Sequence, residues 1–168
     1  MPFTPFHLGP GLLIGMLFLK YLDLPALLVA CVILDVEPLL VILTGTDYPL
    51  HGFFHTFLGG SAAAVVLSFA MHKMSGYAGR IARAFGISQA PTFRTVSAAS
   101  FLGIYLHILL DAPLYPDIKP FFPIGTNPLF FPQASGAIYA SCAAAFLVGV
   151  AAYSAKVFAH NRRPKPGC

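Results

Sequence analysis

Five apolar segments, separated by polar or proline-rich connections, make up most of the chain. They read "LGPGLLIGMLFL" (8–19), "LPALLVACVILDVEPLLVILTG" (24–45), "TFLGGSAAAVVLSFAM" (56–71), "VSAASFLGIYLHILLDAPL" (96–114) and "ASGAIYASCAAAFLVGVAAYSAKVF" (134–158). A helix needs about 20 mostly apolar residues to cross a bilayer core. The pattern therefore predicts an all-α, polytopic integral membrane protein with four or five transmembrane helices. The first segment is short, and residues 8–20 are expected to enter at a tilt or to cross only partly. The second is long enough to span but carries Asp35, Glu37 and Pro38. The fifth is rich in the small residues that let membrane helices approach closely. The start shows neither a basic n-region nor a small-residue cleavage site, so residues 1–20 do not read as a cleaved signal. Residues 1–168 are expected to form one membrane-embedded helical domain without internal repeats.

Composition agrees with the pattern. The chain is 57% hydrophobic and 10% charged, against roughly 25% charged in soluble domains. The net charge of +4 does not point to nucleic acid, because the basic residues flank apolar segments rather than sit among exposed aromatics. Cys31, Cys142 and Cys168 have no paired spacing, which argues against a disulfide framework or a thiolate metal site.

Charge does assign sides. The connection at about 72–95 holds Lys73, Arg80, Arg83 and Arg94, and the C-terminal end holds Lys156 and the basic tail 159–168 with Arg162, Arg163 and Lys165. Lys20 ends the first segment, whereas the connections 44–55 and 112–133 hold only Lys119. If all five segments cross, nine of the ten basic residues share one side, which positive-inside topology makes cytoplasmic. The N-terminus is then outside and the C-terminus inside, and residues 75–92 read as a short surface helix and loop.

That arrangement gathers chemistry at the outer face. His7, His51, His55, His107, Asp35, Glu37 and Asp111 all fall there, whereas His72 and His160 fall on the basic side. A carboxylate deep in a membrane costs about 2.5–3.5 kcal/mol on insertion scales. The apolar segments offer no Arg or Lys at that depth to neutralise three of them, which leaves a metal ion. His51/His55 and His107/Asp111 are both i,i+4 pairs, able to grip one ion from one helix face. Histidine with carboxylate ligation suits zinc first, with manganese or iron as alternatives. Seven candidate ligands exceed what one structural zinc needs, so the set fits two ions, or one ion with an outer ring of orienting groups. The blander readings are interfacial histidines and an Asp35/Glu37 proton relay. The outer loop, about 112–133, is rich in proline and phenylalanine and reads as a stiff cover or an aromatic belt. Asp47 and Asp117 on that side read as solvated loop acids or as a general base.

At these residues the chain resembles the membrane-bound metal-dependent hydrolase family of the LexA-regulated inner-membrane type. The matching stretches, in order over residues 1–120, are "FTPFHLGPG" with His7, "ILDVEP" with Asp35 and Glu37, "HGFFHTF" with His51 and His55, and "HILLDAP" with His107 and Asp111. The order also resembles the zinc-dependent phospholipase C and S1/P1 nuclease superfamily of all-helical phosphoesterases. That resemblance implies one ion among Asp35, His55, His107 and Asp111, with His7, Glu37 and His51 at a second site or behind the first. It also implies Asp35, Glu37 and Asp111 as catalytic carboxylates. Three positions depart from the pattern: Leu34 where proline is usual, Glu37 for the second aspartate, and a His51–His55 spacing of four rather than five.

The functional expectation is a hydrolase in the cell or inner membrane, acting on a phosphoester of a lipid-like substrate near the outer face. Its partners would be membrane lipids, with no nucleic acid. The alternative is a non-catalytic accessory subunit of a larger membrane complex with a structural or vestigial metal site. A metal or proton transporter ranks last, because the acids are not spread through the membrane thickness.

Overall fold

The computed structural model describes residues 5–161, so the basic residues Arg162, Arg163 and Lys165 lie outside the described part. Seven α-helices form it: α1 (Pro5–Leu17), α2 (Leu24–Ala30), α3 (Val36–Thr44), α4 (Phe57–Lys73), α5 (Ser75–Ala84), α6 (Phe93–Asp111) and α7 (Ser135–Asn161). Short 3-10 turns at Ile33–Asp35, Phe53–His55 and Pro132–Ala134 link them, and the described residues contain no strand. Among the described residues, three stretches are long and apolar enough to cross a membrane: Leu24–Thr44, Phe93–Asp111 and Pro132–Ala159. A fourth arises if α4 and α5, bent by 72°, count as one. Helix α1 is apolar but, at 13 residues and about 20 Å, falls short of the hydrocarbon thickness.

Segments successive along the chain run in alternating directions. Gly103 of α6 faces Leu27, Ala30 and Cys31 of α2, while Asp23, which caps α2, bonds to Thr95 at the start of α6, so these two run parallel. Phe57 meets Tyr105 and Phe69 meets Phe93, so α4 runs antiparallel to α6. Gly9 sits against Cys142 and Phe146, and Gly149 against Leu12 and Leu13, which sets α1 parallel to α7. Helix α6 is central. Its Val96 and Ala99 pack with Leu27 and Met71, and its Ile104 and Ile108 with Ala30, Leu34 and Ala64. A side chain on Gly103 would meet the Ala30 Cβ at 2.5 Å and the Leu27 carbonyl at 2.9 Å, so glycine sets how closely α6 approaches α2.

The 24–45 segment is helical but interrupted. Pro38 has no N–H to offer the Leu34 carbonyl, and its ring crowds that turn. The Asp35 amide bonds Val32 rather than closing a regular turn on Cys31. The interruption takes the Cys31 carbonyl out of the helical ladder and turns Asp35 towards α6.

Outside this core the surface is apolar. Leu40, Ile42 and Leu43 on α3, Val66 and Phe69 on α4, and Phe146, Leu147 and Val148 on α7 are all exposed. Little of the Pro132–Ala159 stretch is buried. Such a surface is a liability in water and the expected one in lipid. Gly103→Val should lower stability by about 1–3 kcal/mol, the usual cost of overpacking, as read by thermal unfolding in detergent. Gly136→Ala, where a methyl meets nothing within 4 Å, should leave the transition in place; equal melting of the two variants would refute the close-approach account.

Candidate metal centre

Four side chains from three elements converge where the interrupted segment meets α6. Asp35 comes from the turn between α2 and α3, His55 from the turn before α4, and His107 and Asp111 from the last two turns of α6. Each offers one ligand atom, and these atoms lie within 4.8 Å of one another. His55 and His107 are fully buried, Asp111 is 2% exposed, and Asp35 is half-buried. The i,i+4 spacing on α6 puts His107 Nε2 3.3 Å from Asp111 Oδ2, and the helix break brings Asp35 Oδ1 to 3.8 Å from the same nitrogen. His55 is placed by the cap of α4, where the Thr56 hydroxyl accepts the Gly59 N–H. The preceding turn folds back so tightly that a Cβ on Gly59 would lie 2.0 Å from the Phe53 carbonyl.

Each histidine is held through one nitrogen, and that contact fixes the state of the other. His107 Nδ1 lies 2.8 Å from the Cys31 carbonyl, which can only accept, so Nδ1 carries the proton. His55 Nδ1 lies 2.8 Å from Glu37 Oε2 and likewise donates. In the neutral rings both Nε2 atoms therefore present lone pairs, and both are buried without a hydrogen-bond partner. Asp35 Oδ2 is in the same position. Burial pushes the His55 imidazole below its ordinary pKa and outweighs the opposing Glu37 contact, so the ring is neutral at neutral pH. Two lone pairs and two carboxylates facing one another repel, and buried acceptors without a donor are costly. A divalent cation satisfies all four. Ligands 2.0–2.2 Å from one ion lie within about 4.4 Å of each other, so small side-chain adjustments close the present spread. A carboxylate or carbonyl behind each imidazole is the usual way metal-binding histidines are oriented.

The other three expected ligands stand one step back from these four. Glu37 organises residues 48–55, accepting from the Gly52 and Phe54 amides and the Tyr48 hydroxyl as well as from His55. His51 is fixed by Asp117, which takes both its backbone N–H and its Nδ1–H, and its ring lies edge-on to His55 and close over Tyr115. His7 stacks on His107 at 4.2 Å and donates from Nε2 to Asp111 Oδ1 at 3.0 Å, leaving its buried Nδ1 without a partner. Asp117, its side chain partly exposed, also supports His51, while Asp47 and Lys119 are exposed. The 112–133 loop covers this end, pinned by Asn127 Nδ2 to the Ala112 and Tyr115 carbonyls and by the Phe57 amide to Pro120.

Comparisons with protein-family models, with curated proteins and with solved structures find no match. No family is assigned to the chain on that footing, and the site stands on its own geometry.

The geometry separates ligands from supports. Purified protein should carry bound divalent metal, with His107→Ala and Asp35→Asn reducing it to background in elemental analysis. Glu37→Gln should retain metal but bind it about 10–100-fold more weakly in competition with a chelator. Loss of equal size in all three would contradict the assignment of Glu37 as a support.

Proposed function

We propose that the protein is a membrane-embedded, metal-dependent hydrolase that cleaves a phosphoester of a lipid-like substrate at the outer face. The observation that carries the reading is the convergence of two buried imidazole lone pairs with Asp35 and Asp111 in an otherwise apolar bundle. The ordered motifs that resemble the zinc-dependent phosphoesterases support the choice of phosphate. The distribution of Lys and Arg supports placing the site at the outer leaflet. The donor set suits zinc first, with manganese or iron next, and one ion fits Asp35, His55, His107 and Asp111.

The chemistry such an ion supplies is Lewis acidity towards a phosphoryl oxygen and a water acidic enough to attack near neutral pH. The chain's own residues do the rest. Asp111 is held in place by the His7 N–H, so it meets the substrate in one orientation. Glu37 is a positioning residue that keeps the His55 proton on Nδ1. Asp35, the least buried of the four, has one oxygen buried at the cluster without a partner, and this supports it as the candidate base for the attacking water. The 112–133 cover excludes bulk water from that end.

A second reading has one observation behind it. Helix α7 contacts the rest of the bundle chiefly through α1 and leaves most of its apolar surface open, as an accessory subunit would. Orthophosphate release from short- and long-chain lipid phosphates by purified wild type, His107→Ala and Asp111→Ala decides between the two. The hydrolase reading expects wild-type turnover that falls about a hundredfold or more in each variant, the usual cost of removing a group that stabilises developing charge. Metal-loaded protein that releases no phosphate from any of them would instead favour the accessory subunit.

A further inference from the structure

Helices α3 and α4 line an open groove with a volume of about 690 Å³. That lies within the range of small-molecule sites, roughly 300–1,000 Å³. The groove follows α3 from Ile33 to Thr44, about 16 Å at 1.5 Å per residue. Along its length the walls are hydrocarbon, with Leu40 and Val41 on one side and Ala62, Val66 and Ala70 on the other. Its polar groups are Glu37, Thr44, Thr46 and Tyr48. Glu37 is also the residue that holds His55 at 2.8 Å, and Tyr48 touches Glu37, so the groove adjoins the metal cluster through one carboxylate.

We propose that this groove seats one alkyl chain of the substrate while its phosphate head lies at the Asp35, His55, His107 and Asp111 cluster. The proposal rests on the phosphohydrolase reading and narrows it to single-chain amphiphiles, or to one chain of a two-chain lipid. Three features point to a lipid chain rather than a protein helix or a soluble ligand. Glu37 and Tyr48 adjoin the cluster, while the Thr44 and Thr46 hydroxyls at the other end of α3 are taken up by the Leu40 carbonyl and by each other, which leaves one end for a polar head. Between these ends the walls are hydrocarbon and offer no side-chain hydrogen-bond partner to a polar substrate. Both walls belong to membrane-directed apolar helices, so a chain can enter from the bilayer without crossing water. The centre thereby selects by chain length, since a chain that fills the groove carries its phosphate to the cluster with less freedom to lose.

Photolabelling in proteoliposomes tests this. The probe is an alkyl phosphate with a diazirine near the chain end, and labelled peptides are mapped by mass spectrometry, with metal content measured on the same samples. Label is expected on the α3–α4 walls, at Leu40 and Val66, and should be displaced by dodecyl phosphate but not by butyl phosphate or inorganic phosphate. Ala62→Phe fills the groove from an exposed position. It should weaken displacement about tenfold, the worth of roughly two methylenes, with metal content unchanged. Leu147 on α7, 70% exposed, reports labelling by bulk lipid and should be indifferent to competitor. Wall labelling no denser than at Leu147 and not displaced by dodecyl phosphate overturns the proposal, as does displacement that is unchanged in Ala62→Phe. Displaceable labelling in a protein that releases no phosphate supports the groove and overturns the hydrolase reading alone.

Discussion

Two carboxylates, Asp35 and Asp111, sit beside two imidazole lone pairs inside an apolar helical bundle, and the rest of the architecture serves that arrangement. No lysine or arginine contacts the cluster among the described residues. In a low-dielectric interior, like-charged and acceptor-only groups are costly to keep together unless a cation or a shared proton compensates them. Each departure from regular helix packing near the site turns a group towards this point or holds one there. The break in 24–44 turns Asp35 inward and frees the Cys31 carbonyl. That carbonyl accepts the His107 Nδ1–H hydrogen bond, and Gly103, one turn earlier on α6, lets the two backbones come close enough for the contact.

The support groups show the same logic. Glu37 behind His55, Cys31 behind His107, His7 behind Asp111 and Asp117 behind His51 each fix one atom of a neighbour. A site held in this way loses little entropy on binding, because its side chains are already oriented. It also explains why so many histidines and acids gather for what four residues can ligate. Several of them position others.

Much of this was legible in the sequence. The five apolar segments are all helical, because a run of apolar residues of that length has no other way to satisfy its backbone in lipid. The i,i+4 pair His107/Asp111 points to one face because α6 is regular, whereas the grouping of Asp35 and His55 with that pair was implied by the family resemblance and not by spacing. Other parts were out of reach for particular reasons. His51 and His55, also four apart, do not act as a pair: residues 53–55 form a 3-10 turn, so the spacing carries no helical meaning. The Cys31 carbonyl has no side-chain signature, and only Pro38, crowding the turn at Leu34, hinted at a break. The roles of Glu37 and Asp117 depend on how residues 48–55 and 112–133 fold over the bundle end, which irregular, proline-rich backbone does not announce. The groove between α3 and α4 likewise answers to no motif.

The central claim is that two histidines and two carboxylates share one ion. X-ray absorption spectroscopy at the edge of the metal that purifies with the protein tests it most directly. The account predicts a first shell of nitrogen and oxygen only, at about 2.0–2.2 Å for zinc, with the outer-shell scattering of two imidazole rings that falls to one in His55→Ala. A sulfur shell near 2.3 Å, or an oxygen shell without imidazole scattering, would contradict it.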